Sequence, residues 1–462
     1  MGEKKANGEL LRLRIDSVNS FGCGVARADD GRVMFVNGTV GGDEVTASVI
    51  KSEKNYSVCR LVSLDKPSEN RAEEEFCKAP NACGGCTYRH TKYSYELEVK
   101  KESVRDAMRR AGISDKVTVT DVIKTGGENG GYRNKVIYPV CGTKNGLRYG
   151  YYATGTHKVI PYSDCALTSQ ITAPIAALAV SLADEYGISA YDESTGKGIL
   201  RHVYLRASES TREVLVCYVI NAHKLPHADK IARALCESFP NVAGVLVNVN
   251  QKKTNVILGK DFYTVRGCDH ITDTLLGKSF EIQAAAFWQV NRIGAEILYS
   301  TAYSLAGIQD SDTLIDLYCG IGSVGLCASD KAKKILGIEI VPQAVECAKR
   351  NAERNGISNA EYICADASSS EDAIRKLLCE VPDALVMLDP PRKGCGERLM
   401  NFIADMDVKK VLYISCNPYS LATDMKILLD RGYTPSEVIP VDMFPRTGHV
   451  ESVVCLTRQT EQ

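Results

Sequence analysis

Leu314-Ile315-Asp316-Leu317-Tyr318-Cys319-Gly320-Ile321-Gly322-Ser323-Val324-Gly325 reads as an apolar strand running into a glycine-rich turn. The glycines fall as G-x-G-x-x-G, and Glu339 follows nineteen residues after Gly320, at the end of the next apolar run. Glycines there let the backbone approach a ligand closely, and a carboxylate at the next strand end suits a pair of ribose hydroxyls. Outward from this stretch the rhythm is α/β. Strands are expected at 313–317, 334–340, 361–364, 384–388 and 410–415, with a helix at 342–355 and a closing pair at 435–441 and 450–457. Apolar runs alternating with amphipathic helices predict a doubly wound sheet, parallel apart from its last hairpin.

Two ligands compete for the glycine turn. NAD fits the spacing. Asp316, however, lies in the strand before the turn, where the dinucleotide pattern has an apolar residue. A carboxylate there can face an ammonium group, which S-adenosylmethionine carries and NAD lacks. Asp366 ends the third strand, placed to reach an adenine edge.

The acceptor side follows. Leu388-Asp389-Pro390-Pro391-Arg392 closes the fourth strand, and its prolines stiffen the exit from the sheet. The next strand ends at Ser415-Cys416-Asn417-Pro418, and Gly448-His449-Val450-Glu451-Ser452-Val453 opens the last one. A thiol and a carboxylate beside a methyl donor suit methylation at C5 of uracil, a carbon too weakly nucleophilic to attack a sulfonium methyl. Thiolate addition at C6 makes C5 nucleophilic; a base then takes the C5 proton as the thiolate leaves. Cys416 fits the first task and Glu451 the second.

These motifs, with Ala286-Phe287-Trp288-Gln289-Val290-Asn291, resemble those of the bacterial RNA (uracil-5-)-methyltransferases, the family of 23S rRNA and tRNA 5-methyluridine enzymes. The resemblance covers the last 180 or so residues. It implies that Gln289, Tyr318, Ser323, Glu339, Asp366 and Asp389 line the S-adenosylmethionine site, and that Cys416, Glu451 and Asp389 form the catalytic set.

Ahead of that region, residues 1–66 alternate apolar and polar over short runs (11–18, 32–36, 43–50 and 55–64) broken by glycines, which predicts a small β-barrel. It resembles the TRAM domain, an OB-like barrel of RNA-modifying enzymes, with Lys51, Lys54, Tyr56 and Arg60 as candidate RNA contacts. Residues 67–275 read as a central α+β domain, with a helix at 93–111 that can pack on the catalytic domain, and residues 276–462 as the methyltransferase domain. In the central domain Gly131-Tyr132-Arg133-Asn134-Lys135 combines an aromatic ring with cations, so Tyr132, Arg133 and Lys135 are RNA-contact candidates.

Eighteen cysteines are scattered along the chain. Cys77, Cys83 and Cys86 form C-x5-C-x2-C around Gly84-Gly85, a spacing that lets thiolates wrap one centre, with Cys165 as the fourth ligand and Cys141 as its competitor. Spacing alone allows zinc or [4Fe–4S]; the resemblance to the rRNA branch implies [4Fe–4S].

With 44% apolar and 24% charged residues the chain is globular, and a net charge of -1 confines any basic surface to local patches. The charged start Met1–Gly8 lacks the apolar core of a secretory signal, and no apolar run reaches a membrane-spanning length. A reduced cytoplasmic setting, 23S rRNA as partner, no membrane and a monomer are the expectation. Three rivals stay open: a tRNA uracil-5-methyltransferase, an NAD-dependent iron–sulfur oxidoreductase that leaves Cys416 and Glu451 idle, and a non-catalytic RNA-binding protein. A DNA-cytosine methyltransferase shares the covalent logic, but its Pro-Cys motif is absent.

Overall fold

The computed structural model describes residues 8–80 and 82–458; of the charged start Met1–Gly8 only Gly8 lies among them. Among the described residues no helix is long and apolar enough to cross a membrane.

The catalytic sheet follows the apolar rhythm closely. Its strands run in the order Ala360–Cys364, Lys334–Glu339, Thr313–Asp316, Leu385–Leu388, Lys410–Ser415, Glu451–Arg458, Tyr433–Pro435. The first five are mutually parallel and Glu451–Arg458 joins antiparallel. The stretch expected as one strand at 435–441 is two short pieces, Tyr433–Pro435 and Ile439–Val441, both pairing with Glu451–Arg458. Between them Val438 leaves this ladder to bridge Val119 of the central region. Buried Leu314, Ile315, Ile338, Val386, Leu412 and Ile414 carry the sheet's hydrophobic faces.

The N-terminal segment forms a six-stranded sheet around its own core of Leu13, Ile15, Ala26, Met34, Val36, Val45, Ala47, Val49 and Cys59. Its strand Leu10–Arg14 also touches Cys23–Arg27, so the sheet curls toward closure. The central region is a seven-stranded sheet with helices Thr172–Glu185 and Ala228–Ser238 packed on it. The third domain, expected to start at residue 276, would begin inside one hairpin, at the turn between His270–Leu275 and Lys278–Gln283. That hairpin's Phe280 and Ile282 share a core with Tyr204 and Leu215 of the central sheet and with Trp288 and Leu298 of the catalytic region. The two regions therefore fold onto a continuous apolar interface.

Helix Tyr93–Ala111 crosses to the catalytic domain. Val104, Ala107 and Met108 pack with Leu421, Ala422 and Met425 of helix Pro418–Asp430, the helix that starts at the acceptor motif. On the same helix Lys100 is buried with two carboxylates: its Nζ lies 2.7 Å from Glu96 and 2.6 Å from Asp442, and it donates to the carbonyl of Phe444 at 3.2 Å. Glu96 accepts from the Arg446 backbone N–H at 2.7 Å, Tyr132 Oη donates to the Pro445 carbonyl at 2.9 Å, and Asn291 Nδ2 to the Met443 carbonyl at 3.0 Å. Residues 442–447, which lead into Glu451, are thus held by groups from three other parts of the chain.

Removing Lys100 leaves Glu96 and Asp442 as buried carboxylates short of a partner. Lys100→Ala is expected to cost about 3–5 kcal/mol in urea unfolding, whereas Lys426→Ala, which breaks the exposed pair with Asp430, should cost less than about 1 kcal/mol. Equal stability of the two variants would contradict a structural role for the buried cluster.

Candidate active site

Most of the candidate residues sit at or just past the carboxyl end of a parallel strand, the edge where open α/β sheets bind ligands, while Glu451 opens the antiparallel strand Glu451–Arg458. Asp316 ends Thr313–Asp316, Glu339 ends Lys334–Glu339, and Asp366 follows Ala360–Cys364; Asp389 follows Leu385–Leu388 and Cys416 follows Lys410–Ser415.

On the donor side the turn after Asp316 needs its glycines, because Gly320 and Gly322 adopt φ of +54° and +85°. Glu339 holds the turn from below, accepting from the Gly320 N–H at 3.1 Å and the Val341 N–H at 2.8 Å. Asp316, read as facing a ligand's ammonium group, also braces the turn. Its Oδ1 accepts from the Tyr318 N–H at 3.2 Å, and its Oδ2 faces the Gly325 amide without a hydrogen bond. Burial pushes this carboxyl up to about 7, with the charges of Asp389 and Glu339 adding to the effect. Tyr299 gathers the other donor-side candidates: its hydroxyl lies 3.4 Å from Ser323 Oγ, and Gln289 and Asp389 are close enough to act on it. Asp366 is tied down by the Ser368 and Ser369 hydroxyls, which hold its carboxyl below the usual range, and Tyr318 neighbours both Asp366 and Cys395.

On the acceptor side the local sequence builds its own geometry. Asn417 caps helix Pro418–Asp430 by accepting from the Tyr419 N–H at 3.1 Å, and Pro418 occupies the helix start, where its missing N–H costs nothing. Asn417 Nδ2 donates to the Arg392 carbonyl at 2.9 Å, tying the segment after Asp389 to the Cys416 turn. The antiparallel register pairs Ser415 with Ser452, so Cys416 and Glu451 are the next residues out along the same ladder. Burial, then the charge of Asp389, pushes Glu451 up to about 8, and Arg392 opposes this. The Cys416 thiol is pushed up to about 11 by burial, Glu451 and Asp389, again opposed by Arg392. Asp389 itself is pushed up to about 7 by burial.

Cys416 opens into a cavity of about 470 Å³ shared with Arg392, Asn417 and His449, with Gly84, Gly85 and Arg133 of the central region, and with Ser20 and Phe21 of the N-terminal sheet. Arg392 Nη2 lies 3.1 and 3.0 Å from His449 Nδ1 and Nε2. Burial and Arg392 lower the His449 pKa to about 4, so the ring is neutral. Among the RNA-contact candidates, Arg133 lines this cavity, while Tyr132 is 6% exposed with its hydroxyl committed to Pro445. Lys135 faces a second cavity, and burial lowers its pKa to about 8. His449 and Phe21 escaped the sequence reading as site residues; His449 sits within a quoted motif, but nothing local marks Phe21.

The second cavity, about 310 Å³, is lined by Cys77, Cys83, Cys86 and Cys165 with Arg133, Tyr151 and Tyr162. Cys141 lines a different cavity, beside His157 and His202. All four thiols are free, and Cys77 Sγ accepts from the Ala79 N–H at 3.4 Å. A Cβ on Gly84 would stand 3.1 Å from the Thr154 Cα, a tight contact that glycine avoids. Among the described residues no three His, Cys, Asp or Glu side chains converge tightly enough for a single metal ion.

A sequence model of the tRNA (Uracil-5-)-methyltransferase family matches residues 241–459, and a TRAM domain model matches residues 4–62. An uncharacterised RNA methyltransferase of Bacillus cereus is 39% identical over 97% of each chain, and one of Clostridium acetobutylicum is 37% identical over 96% of each. In three dimensions the chain superposes on the Pyrococcus abyssi tRNA (uracil-54, C5)-methyltransferase, solved with S-adenosyl-L-homocysteine, with a TM-score of 0.75 at 24% identity, over 97% of this chain and 100% of that one.

The electrostatics predict the thiol's reactivity. At pH 9, where Glu451 is ionised, Glu451→Gln removes a negative charge beside Cys416, which lowers the thiol pKa and raises the thiolate fraction. Carboxamidomethylation of peptide 411–426, followed by mass spectrometry, should run faster in Glu451→Gln and slower in Arg392→Gln than in the parent chain. The reverse order would contradict the assigned charges.

Proposed function

Because the chain belongs to the family of S-adenosylmethionine-dependent RNA (uracil-5-)-methyltransferases, we propose that it methylates C5 of a uridine in 23S rRNA through a covalent bond from Cys416 to C6. The observation that carries this reading is the pairing of Cys416 with Glu451 across the Ser415–Ser452 register, at the edge that also bears Asp389. Bound S-adenosylmethionine supplies an electrophilic methyl group.

The roles of the chain's own residues follow. The Cys416 thiolate adds to C6, and the ring electrons move to C5, where the methyl group is accepted. Glu451 then removes the C5 proton, the electron pair reforms the C5–C6 double bond, and the thiolate is expelled. A carboxyl lifted to about 8 is a stronger base toward a carbon acid than an ordinary glutamate. Because the thiol is lifted to about 11 in the free protein, its ionisation depends on charge brought by the bound partners, and Arg392 is the resident group that favours it. Asp389 acts on both through its charge. Gln289, Tyr318, Ser323, Glu339 and Asp366 hold the methyl donor, with Glu339 facing its ribose.

Cys77, Cys83, Cys86 and Cys165 are assigned to a [4Fe–4S] cluster. Four free thiols around one cavity support this. Residues 67–275 would then be the RNA-gripping domain. A tRNA substrate is the second reading. The solved tRNA enzyme of Pyrococcus abyssi matches along 97% of this chain, so the N-terminal sheet does not by itself separate the two substrates.

Incubation with S-adenosylmethionine and 23S rRNA fragments carrying 5-fluorouridine should trap a protein–RNA adduct that is absent in Cys416→Ala. With ordinary RNA, Glu451→Gln should accumulate methylated adduct without release. Trapping with transcribed tRNA but no rRNA fragment would assign the second reading, and an adduct that survives Cys416→Ala would overturn the mechanism.

Anaerobically purified protein should contain about four iron and four sulfide per chain, as a [4Fe–4S] site requires. The content should fall in Cys165→Ser and persist in Cys141→Ser. Stoichiometric zinc without sulfide would overturn the cluster.

A further inference from the structure

Phe21 is the most exposed large apolar side chain among the described residues, at 82%. It lines the cavity that holds Cys416, although it belongs to the N-terminal sheet. A large apolar ring left in water at the mouth of a reaction cavity marks a binding contact. The ring also stands on a fixed support. Asn19 Oδ1 accepts from the backbone N–H groups of both Phe21 and Cys23 at 3.0 Å, and the Gly22 N–H closes the turn on the Asn19 carbonyl at 2.8 Å. The turn is wedged between two functional segments. A Cβ on Gly22, whose φ is +73°, would run into the Thr87 side chain, and a Cβ on Gly448 would stand 2.5 Å from the Ser20 carbonyl oxygen. Phe21 is therefore presented rigidly, between the cysteine loop and the segment leading to Glu451.

Besides Phe21 the cavity lining carries two cations among neutral groups. Arg392 and Arg133 share the lining, and the buried Nε of Arg133 has no hydrogen-bond partner. An exposed ring that shares a cavity with two guanidinium groups fits an unpaired base with its phosphates, since base–aromatic stacking supplies affinity and arginines hold the backbone. Of the barrel residues that composition singled out, Tyr56 is placed less well. In the parallel pairing of Val33–Asn37 with Tyr56–Lys66, Tyr56 lies beside Val33, whereas the Phe21 turn adjoins Cys23 beside Asn37, the opposite end of the strand.

We infer that Phe21 is the stacking platform for a nucleobase next to the methylated uridine, so that the N-terminal sheet reads RNA inside the acceptor site. This rests on the RNA-methyltransferase reading of that site. Stacking of this kind is worth about tenfold in affinity.

The test is a coupling experiment on the full chain, with the RNA fragment that the parent chain methylates. Phe21→Ala should weaken RNA binding and raise KM for RNA about tenfold, with kcat at saturating RNA little changed, and Phe21→Trp should restore it. RNAs carrying an abasic nucleotide at each position flanking the target then locate the contact. At one position the abasic RNA should bind the parent chain as weakly as intact RNA binds Phe21→Ala, and combining the two changes should cost no more than either alone. Unchanged RNA affinity in Phe21→Ala, or losses that add at every position, would overturn the inference. The parent chain's methylation of that same RNA reports separately on the function reading.

Discussion

The antiparallel ladder between Lys410–Ser415 and Glu451–Arg458 is the constraint on which the site depends. A strand advances about 3.3 Å per residue and alternates its faces, so a register shift of one residue would turn Glu451 away from Cys416. That ladder is fixed from both sides. Val411, Leu412 and Ile414 are buried on the sheet, as are Val453, Val454 and Leu456. Beyond its end, Asn417 and Pro418 stop the strand and start a helix, leaving Cys416 at the corner. The segment that delivers Glu451 is anchored by Lys100, Glu96 and Asp442, so a helix from the central region sets the position of a strand in the catalytic one.

The same burial that fixes these groups sets their charge. Asp316, Asp389 and Glu451 are all held above the usual carboxylate range by the low-dielectric interior, and Asp389 and Glu451 further disfavour the Cys416 thiolate. Arg392, the cation that acts on both Cys416 and Glu451, also meets His449 at the cavity mouth. Desolvated acid is complementary to a positive charge, and here it disfavours ionisation of the thiol. The acceptor cavity itself is composite: the N-terminal sheet, the cysteine loop and the catalytic sheet each contribute a wall.

Much of this was legible in the sequence because it is local. Strand ends, the glycine turn and the Ser415–Pro418 corner follow from periodicity, positive φ and capping chemistry that act within a few residues. Helix Tyr93–Ala111 was legible to its ends. The bracing contact of Asp316 was not legible: its Oδ1 accepts from the Tyr318 N–H, a bond that exists only once the loop has closed, while Oδ2 has no hydrogen-bond partner. The start of the catalytic region was also obscure. Hairpin His270–Leu275/Lys278–Gln283 buries its apolar face against both regions, and composition does not change across such an interface. Phe21 was invisible because its meaning comes from residues more than sixty positions away, Gly84 to Thr87 and Gly448. The cysteines divide by place as well: Cys165 reaches the cavity of Cys77, Cys83 and Cys86, and Cys141 does not.

The most direct test of the whole account is the site of covalent attachment. The adduct formed with 5-fluorouridine RNA is digested with nuclease and trypsin, and the nucleotide remnant is located by tandem mass spectrometry. The account predicts that the remnant sits on peptide 411–426, at Cys416, with the S-adenosylmethionine methyl group on the same pyrimidine. A remnant on any other of the eighteen cysteines, or a methylated product released without a protein-linked stage, would contradict it.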